Sequence, residues 1–350
     1  MKTINMLSSA DKVKGQGVGS AYLEQVRLIE ESFPRDFSVS RNKFKFCDIM
    51  HYHTLDFFYL LSVPFAKLKG CPTVGYVHFL PETIEESIKL PPVIKQFFYA
   101  YMIFFYKSMD RLVTVNPCFI PRLEKYGIPK EKITYIPNFV SEENFHPLPE
   151  ARKVELREKY GLDKDKFTVL CAGQLQKRKG VFDFIKTAES MPQMQFVWAG
   201  GFSFGPMMDG YSEIKKIVDD PPSNVKFLGI VPREDMNEIY NLADVMFLPS
   251  FEELFPMTVL ESMSCNVPIL LRDLELYEDI LFDFYLKGHN VDEFITLLEQ
   301  LSTDKEFYND SKQKSREGSS FYSRRHVANM WKSFYNGLES HARKKVITAK

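Results

Sequence analysis

The sequence predicts an α/β protein made of two Rossmann-like domains that face each other across a cleft. Three observations lead there. Short apolar runs of strand length alternate with helix-period segments along most of the chain. The alternation breaks once, between Ser141 and Arg152, where "SEENFHPLPEAR" has the prolines and charges of a linker. Finally, 350 residues is more than one core usually accommodates. The expected division is 1–145, 146–320, and a helical, basic-ended segment 321–350.

The first half opens with "TINMLS", a short buried strand, then the glycine-rich "KGQGVGS" and the amphipathic "AYLEQVRLIEES". Further strand-like runs are "CDIMHYHT", "PTVGYVHF", "DRLVTVN" and "KITYIPNFV". Helical patterns separate several of them, which favours a parallel sheet. After the linker the strands are "FTVLCAG", "MQFVWAGG", "NVKFLGI", "DVMFLPS" and "VPILLRD". Between them lie the helical segments "GVFDFIKTAESM", "YSEIKKIVDD" and "REDMNEIYNLA".

Composition excludes some functions. With 45 Lys and Arg against 46 Asp and Glu, the chain lacks the bulk positive charge of a nucleic-acid binder. Its five cysteines form no CxxC pair, so no disulfide framework is expected and a reduced, cytosolic protein is the simple reading. The N-terminal apolar run is too short for a signal peptide, and no run reaches the length of about 20 residues that spans a bilayer.

Ligands of open parallel sheets bind at the carboxyl ends of strands. The exit of "DVMFLPS", Phe251 to Phe255, is therefore a candidate site. Pro256 suits the first turn of the helix that follows, because its missing N–H would be unpaired there. The free amides of that turn attract an anion such as a diphosphate. Glu253 precedes the helix, and Glu261 lies eight residues on. Two carboxylates so placed are either solvated charges or acceptors for the hydroxyls of a sugar and a ribose. A second candidate is "AGQLQKRKG", whose Gly173 permits close backbone approach and whose Lys177, Arg178 and Lys179 supply positive charge. By itself it also reads as a solvated basic loop.

Together these stretches resemble retaining glycosyltransferases of the GT-B fold in family 4. Glu253 to Glu261 matches that family's E-x7-E motif, and "AGQLQKRKG" its basic diphosphate loop, with Lys179 on the family lysine. Gln174 stands where the family usually has arginine; Arg178 is the candidate to compensate. "LGIVPREDMNEIYNLADVMFLPS" resembles the base-binding region, and "IPNFV" a family strand end at Asn138. The resemblance implies a nucleotide-sugar-binding second domain, an acceptor-facing first domain, and a C-terminal helix packed back on the first. It places Glu253 on the donor hexose, Glu261 on the ribose, and Leu228 and Gly229 beside the nucleobase. The backbone of Leu254 and Phe255 would approach sugar and diphosphate, and Gly17 and Gly19 of the first domain would lie near the diphosphate and acceptor. His78 matches a histidine at the reaction centre, where it would orient the sugar or the acceptor; His51 and His53 are weaker candidates. The chemistry implied is front-face transfer with retention, with the leaving diphosphate stabilised by Lys179, Arg178 and helix amides. No cofactor and no essential metal is expected.

The acceptor is suggested by "SIKLPPVIKQFFYAYMIFFYKSMDR". This run is too apolar for an ordinary surface helix and too short to span a bilayer. Lys95 and Lys107 flank Phe97, Phe98, Tyr101, Phe104 and Phe105, as in a helix lying on an anionic membrane; a buried core helix is the other reading. The passages "NMLSSADKVKGQGVGSAY" and "GYVHFLPETIEESIKLP" resemble bacterial diglycosyl-diacylglycerol synthases, which extend monoglucosyl-diacylglycerol. That resemblance implies UDP-glucose as donor, UDP-galactose as rival, and a cytoplasmic enzyme peripherally attached to the cell membrane. Two alternatives are a family 4 enzyme acting on an envelope polysaccharide, teichoic-acid or polyprenyl-linked acceptor, and a non-catalytic nucleotide-sugar-binding module.

Overall fold

The computed structural model describes residues 1–9, 17–43, 45–84, 91–202, 210–253 and 255–338. The chain divides into two compact units, one of Met1–Asn138 with the segment from Arg324 onward, the other of Phe139–Ser323.

Unit 1 runs β1 (Lys2–Leu7), α1 (Gly17–Ser32), β2 (Phe37–Arg41), β3 (Ile49–Tyr52), α2 (Phe57–Leu68), β4 (Thr73–Val77), α3 (Pro81–Ile84), α4 (Pro92–Ser108), β5 (Arg111–Thr114), α5 (Phe119–Lys125) and β6 (Ile133–Tyr135). Its six strands are all parallel, in the order β2-β1-β3-β4-β5-β6. Parallel crossovers are right-handed. The steps from β3 to β6 all go one way, so α2, α4 and α5 share one face of the sheet. The step from β1 to β2 goes the other way and puts α1 on the opposite face. Alternation along β3 agrees. His51 turns to the rings of the C-terminal helix, whereas Tyr52 meets Phe105 of α4 at 6.2 Å between ring centroids.

Unit 2 runs α6 (Glu150–Lys159), β7 (Thr168–Ala172), α7 (Val181–Ser190), β8 (Gln195–Ala199), α8 (Tyr211–Asp219), β9 (Val225–Gly229), α9 (Met236–Asn241), β10 (Val245–Leu248), α10 (Met257–Ser264), β11 (Ile269–Arg272), α11 (Glu275–Leu281), β12 (Leu286–Gly288), α12 (Val291–Thr303) and α13 (Lys305–Phe321). The order is β12-β11-β10-β7-β8-β9, again all parallel. Strands β7, β8, β10 and β11 are buried throughout, as a sheet covered on both faces requires. The chain then returns to unit 1 as α14 (Arg324–Gly337), which packs on α1.

Two strands are absent from the sequence reading. β2, "FSVSR", is an edge strand that buries only Phe37, and β12 is a three-residue edge strand of the second sheet. Neither offers the apolar run by which a strand is recognised. The boundary between the units falls at Phe139, ahead of the expected linker. That segment is fastened to α9: the His146 and Leu148 amides donate to Asn237 and Asn241, and buried Phe145 stands edge-on to Tyr240.

Candidate active site

The loops leaving β7 and β10 lie side by side, since those strands are neighbours. Residues Lys177–Lys179 form one 3-10 turn, and Gly180 follows with φ +74° before α7 begins. A Cβ at Gly180 would stand 2.2 Å from the Pro249 carbonyl oxygen, so only glycine fits. The Phe251 amide donates to the Arg178 carbonyl at 2.8 Å, and Arg178 Nη1 reaches the Glu252 carbonyl at 3.4 Å. Between these fastened loops Lys179 Nζ meets Glu253 Oε1 at 2.5 Å, with both side chains largely buried. Glu253 is therefore no solvated charge. Leu254 lies outside the described residues. Phe255 turns its ring against Tyr322, which leaves only its backbone for a ligand.

Glu261 sits in α10 with 3 % of its surface exposed. Buried Tyr240 donates its hydroxyl to Oε2 at 2.6 Å, and half-exposed Arg233 donates to Oε1 at 3.0 Å. The two glutamates of the motif are thus held by different cations. Pro256 stands at the N-cap of α10, one residue ahead of its expected place.

The ends of β8 and β9 complete this edge. Gly173 accepts the Trp198 indole N–H at 2.9 Å and donates its amide to Ala199. A Cβ on Gly200 would lie 1.8 Å from the Gly173 carbonyl, and the Gly200 amide donates to Gly229. At Gly173 and Gly229 a Cβ would meet nothing within 4 Å among the described residues, so one side of the backbone is uncovered at both. Leu228 precedes Gly229 at the end of β9. Gln174, at the departure from the family pattern, accepts a hydrogen bond from Gln176.

One important residue escaped the sequence reading. Arg272, at the end of β11, donates to the Pro249 carbonyl at 3.0 Å and to the His289 carbonyl at 2.8 Å, and pairs with Asp183. Its guanidinium lies 3.9 Å from the centroid of the Phe251 ring. It holds the Pro249 carbonyl against which Gly180 is seated. The signal available was an arginine ending an otherwise apolar strand at the carboxyl edge. Tyr240 and Arg233 were also missed, because their partner is chosen by the packing of α9, and of the turn Arg233–Asp235 ahead of it, near α10.

In unit 1, Gly17 and Gly19 lie in the first turn of α1; the preceding part of the glycine-rich loop lies outside the described residues. His78 follows β4. Its ring stacks on Tyr76 at 4.3 Å, its Nε2 has no hydrogen-bond partner among the described residues, and burial lowers its pKa to about 4. His51 and His53 are fully buried, 4.1 Å apart between ring centroids, with pKa values lowered to about 3 and well below the usual value. Desolvation is the main cause for both, so these are neutral core residues.

Helix α4 is two-sided. Met102, Phe105 and Tyr106 are buried, whereas Phe97 and Phe104 are exposed. Phe105 is 1 % exposed and packs on Tyr52, which corrects its placement on a membrane face. Tyr101 is half-buried, and its hydroxyl donates to the Leu55 carbonyl at 2.8 Å. Phe98 is half-buried. Lys95 lies over the Tyr99 ring, and Lys107 is exposed near the helix end.

Comparison with known proteins adds the family. The model described as "Glycosyl transferases group 1" matches residues 152–318, and "Glycosyltransferase Family 4" matches 27–144. The alpha-galactosylglucosyldiacylglycerol synthase of Streptococcus pneumoniae is 47% identical over 97% of this chain and 91% of its own. The chain is a family 4 glycosyltransferase. The enzyme is also 26% identical to the processive diacylglycerol alpha-glucosyltransferase of Acholeplasma laidlawii, over 86% of this chain and 88% of that one. Its fold matches the Anabaena HepE structure solved with UDP and glucose, with a TM-score of 0.76, 14% identity, and coverage of 97% of this chain and 100% of that one. This is the GT-B fold that the resemblance implied.

Proposed function

We propose that the enzyme transfers a hexose from a UDP-sugar, with retention, to monoglucosyl-diacylglycerol, giving diglycosyl-diacylglycerol. The observation that carries the donor half is the Lys179–Glu253 pair at the strand exits. Without donor, each charge neutralises the other in a partly dry site. When a UDP-hexose binds, Lys179 turns to the diphosphate and Glu253 to the hexose hydroxyls, joined by the first amides of α10. Glu261, already aligned by Tyr240 and Arg233, takes the ribose diol, and the open backbone at Gly229 takes the base. As the glycosidic bond breaks, charge grows on the leaving diphosphate, and Lys179, Arg178 and the amides stabilise it in place of a metal. That diphosphate accepts the acceptor's proton; within unit 1, His78 is the residue assigned to orient the acceptor.

The acceptor half rests on the relatives. The names of both relatives carry diacylglycerol, and that of the 47% identical one carries a galactosyl group on glucosyldiacylglycerol. Where the sequence leaned to glucose, this name supports galactose as the donor sugar. The "alpha" of both names fits retention, since UDP-hexoses carry an α-linked sugar. A diacylglycerol-based acceptor resides in a bilayer, so the enzyme works at a membrane surface, with α4 presenting Lys95, Phe97, Phe104 and Lys107.

Offering UDP-galactose and UDP-glucose separately with monoglucosyl-diacylglycerol in mixed vesicles tests the reading. The expected product is a dihexosyl lipid with an α-linkage, formed undiminished in EDTA. UDP binding without any lipid product would instead mark a non-catalytic module. Loss of activity in EDTA with rescue by manganese would remove the metal-free scheme.

A further inference from the structure

Nine of the fifteen large apolar side chains exposed among the described residues stand on just two helices of unit 1. On α2 they are Phe57, Phe58, Leu61, Phe65 and Leu68, with Phe58 at 76 % and Leu68 at 84 % exposure. Their spacing of one, three, four and three residues forms a single stripe along the helix. The opposite side, Val63 and Ala66, is buried in the unit. On α4 the stripe is Val93, Ile94, Phe97 and Phe104. A helix on the surface of a soluble protein turns its polar face outward; here α2 turns out phenylalanine and leucine, and α4 turns out valine, isoleucine and phenylalanine.

The topology makes these stripes neighbours. Right-handed crossovers from β3 to β4 and from β4 to β5 put α2 and α4 on the same sheet face, one strand apart. Tyr101 of α4 bonds to Leu55, just ahead of α2. Charge selects the occupant. Neither helix contains an aspartate or glutamate; their charged residues are Lys67, Lys95 and Lys107, and Lys69 follows α2 directly. Lys67 pairs with Asp110 beneath, and Lys69 lies over the Phe46 ring. Asp56, at the N-cap of α2, is acidic but accepts hydrogen bonds from Ser9 and Thr54. An apolar stripe on helices whose own charges are all cations suits a surface of anionic headgroups over hydrocarbon. No helix of the described residues is long and apolar enough to cross a membrane.

We propose that α2 is a second membrane-docking helix, forming with α4 one plane that seats unit 1 on an anionic bilayer with Phe58 and Leu68 in the acyl boundary. This rests on the reading of the acceptor as a membrane lipid. It adds a helix whose sequence, "FFYLLSVPFAKL", reads like an ordinary core helix, since periodicity cannot tell which side is covered.

Tryptophan scanning tests it with the full chain. The protein's two tryptophans, Trp198 and Trp331, are buried, so an added indole reports alone. F58W and L68W are expected to be quenched by brominated phosphatidylcholine in phosphatidylcholine–phosphatidylglycerol vesicles. The F58S/L68S variant should partition at least about tenfold less onto those vesicles, because each lost side chain removes substantial buried apolar area. Its melting temperature should stay unchanged, since neither side chain is packed. Quenching of F97W with none of F58W or L68W would overturn the proposal while leaving membrane docking through α4 intact. Failure of the wild-type protein to bind vesicles would remove the membrane reading itself. Vesicle-free dimerisation abolished by F58S/L68S would make the plane an interface between copies and overturn the proposal.

Discussion

A lysine and a glutamate buried together cannot be altered singly without exposing the other's charge. Lys179 and Glu253 have side chains only 14 % and 6 % accessible. Removing one partner leaves an uncompensated buried charge, which is strongly destabilising. The functional loss must therefore be separated from the structural one. Lys179→Met is expected to lower kcat/KM by about 10²- to 10³-fold, the scale of a lost transition-state donor, and also to lower Tm. The double variant Lys179→Met/Glu253→Gln, which leaves no buried charge, should recover most of the Tm and none of the activity. Differential scanning fluorimetry and steady-state kinetics read the two effects; a double variant with restored turnover would make the pair a structural bridge only. At this scale the sequence was legible where spacing carries meaning. The eight-residue separation of Glu253 and Glu261 and the cluster "KRKG" could be read directly. Which cation would hold which carboxylate could not, because Arg233 and Tyr240 reach Glu261 only through the packing of α9, and of the turn ahead of it, near α10.

The loop after β7 works as an element because its backbone is clamped, and Gly180 is the clamp's tightest point. Gly180 and Gly229 both have left-handed backbone, with φ +74° and +70°. They differ in what surrounds them. A Cβ at Gly180 collides with Pro249, which Arg272 holds in place; a Cβ at Gly229 meets open space. Gly229→Ala should accordingly cost about 1 kcal/mol, the conformational penalty alone. Gly180→Ala should cost at least about twice that and displace the "KRK" turn, taking Lys179 away from Glu253 and abolishing donor binding. Urea unfolding and UDP titration of the two variants give the comparison. Equal stability losses would show that the Pro249 contact yields easily and that the turn is not clamped. Elements with strong apolar runs were legible in the sequence, and the parallel alternation followed from them. The edge strands β2 and β12 were not, since they bury too little to carry a pattern. Nor could the two-sidedness of α4 be read: Phe104 and Phe105 are chemically identical, and only the sheet decides that one is buried and the other exposed.

Over the whole molecule, the two units carry different titrations and, in the proposed function, different ligands, which makes them separable in one experiment. Unit 1 buries His51 and His53 as neutral rings; Nε2 of His51 and both ring nitrogens of His53 lack hydrogen-bond partners among the described residues. Burial lowers the pKa of His51 to about 3 and that of His53 well below its usual 6.5. Between those values and 6.5 the unfolded chain binds more protons than the folded one. The stability conferred by the neutral rings is therefore complete above pH 6.5 and falls as the pH is lowered toward 3. The slope is up to about 1.4 kcal/mol per pH unit for each histidine. Unit 2, in the proposed function, binds UDP, and ligand at a hundred times its Kd stabilises the state that binds it by about 2.7 kcal/mol. Multidomain proteins need not melt in one step. Calorimetry is expected to show one transition that drops between pH 7 and pH 5 and ignores UDP, and another that rises with UDP. Lys179→Met should suppress the UDP response, and His53→Phe, which removes a buried titrating ring, should flatten the acid response. If UDP raised the acid-sensitive transition and left the other unmoved, the nucleotide would belong to unit 1, and the assignment of the donor to the exits of β7 and β10 would fall.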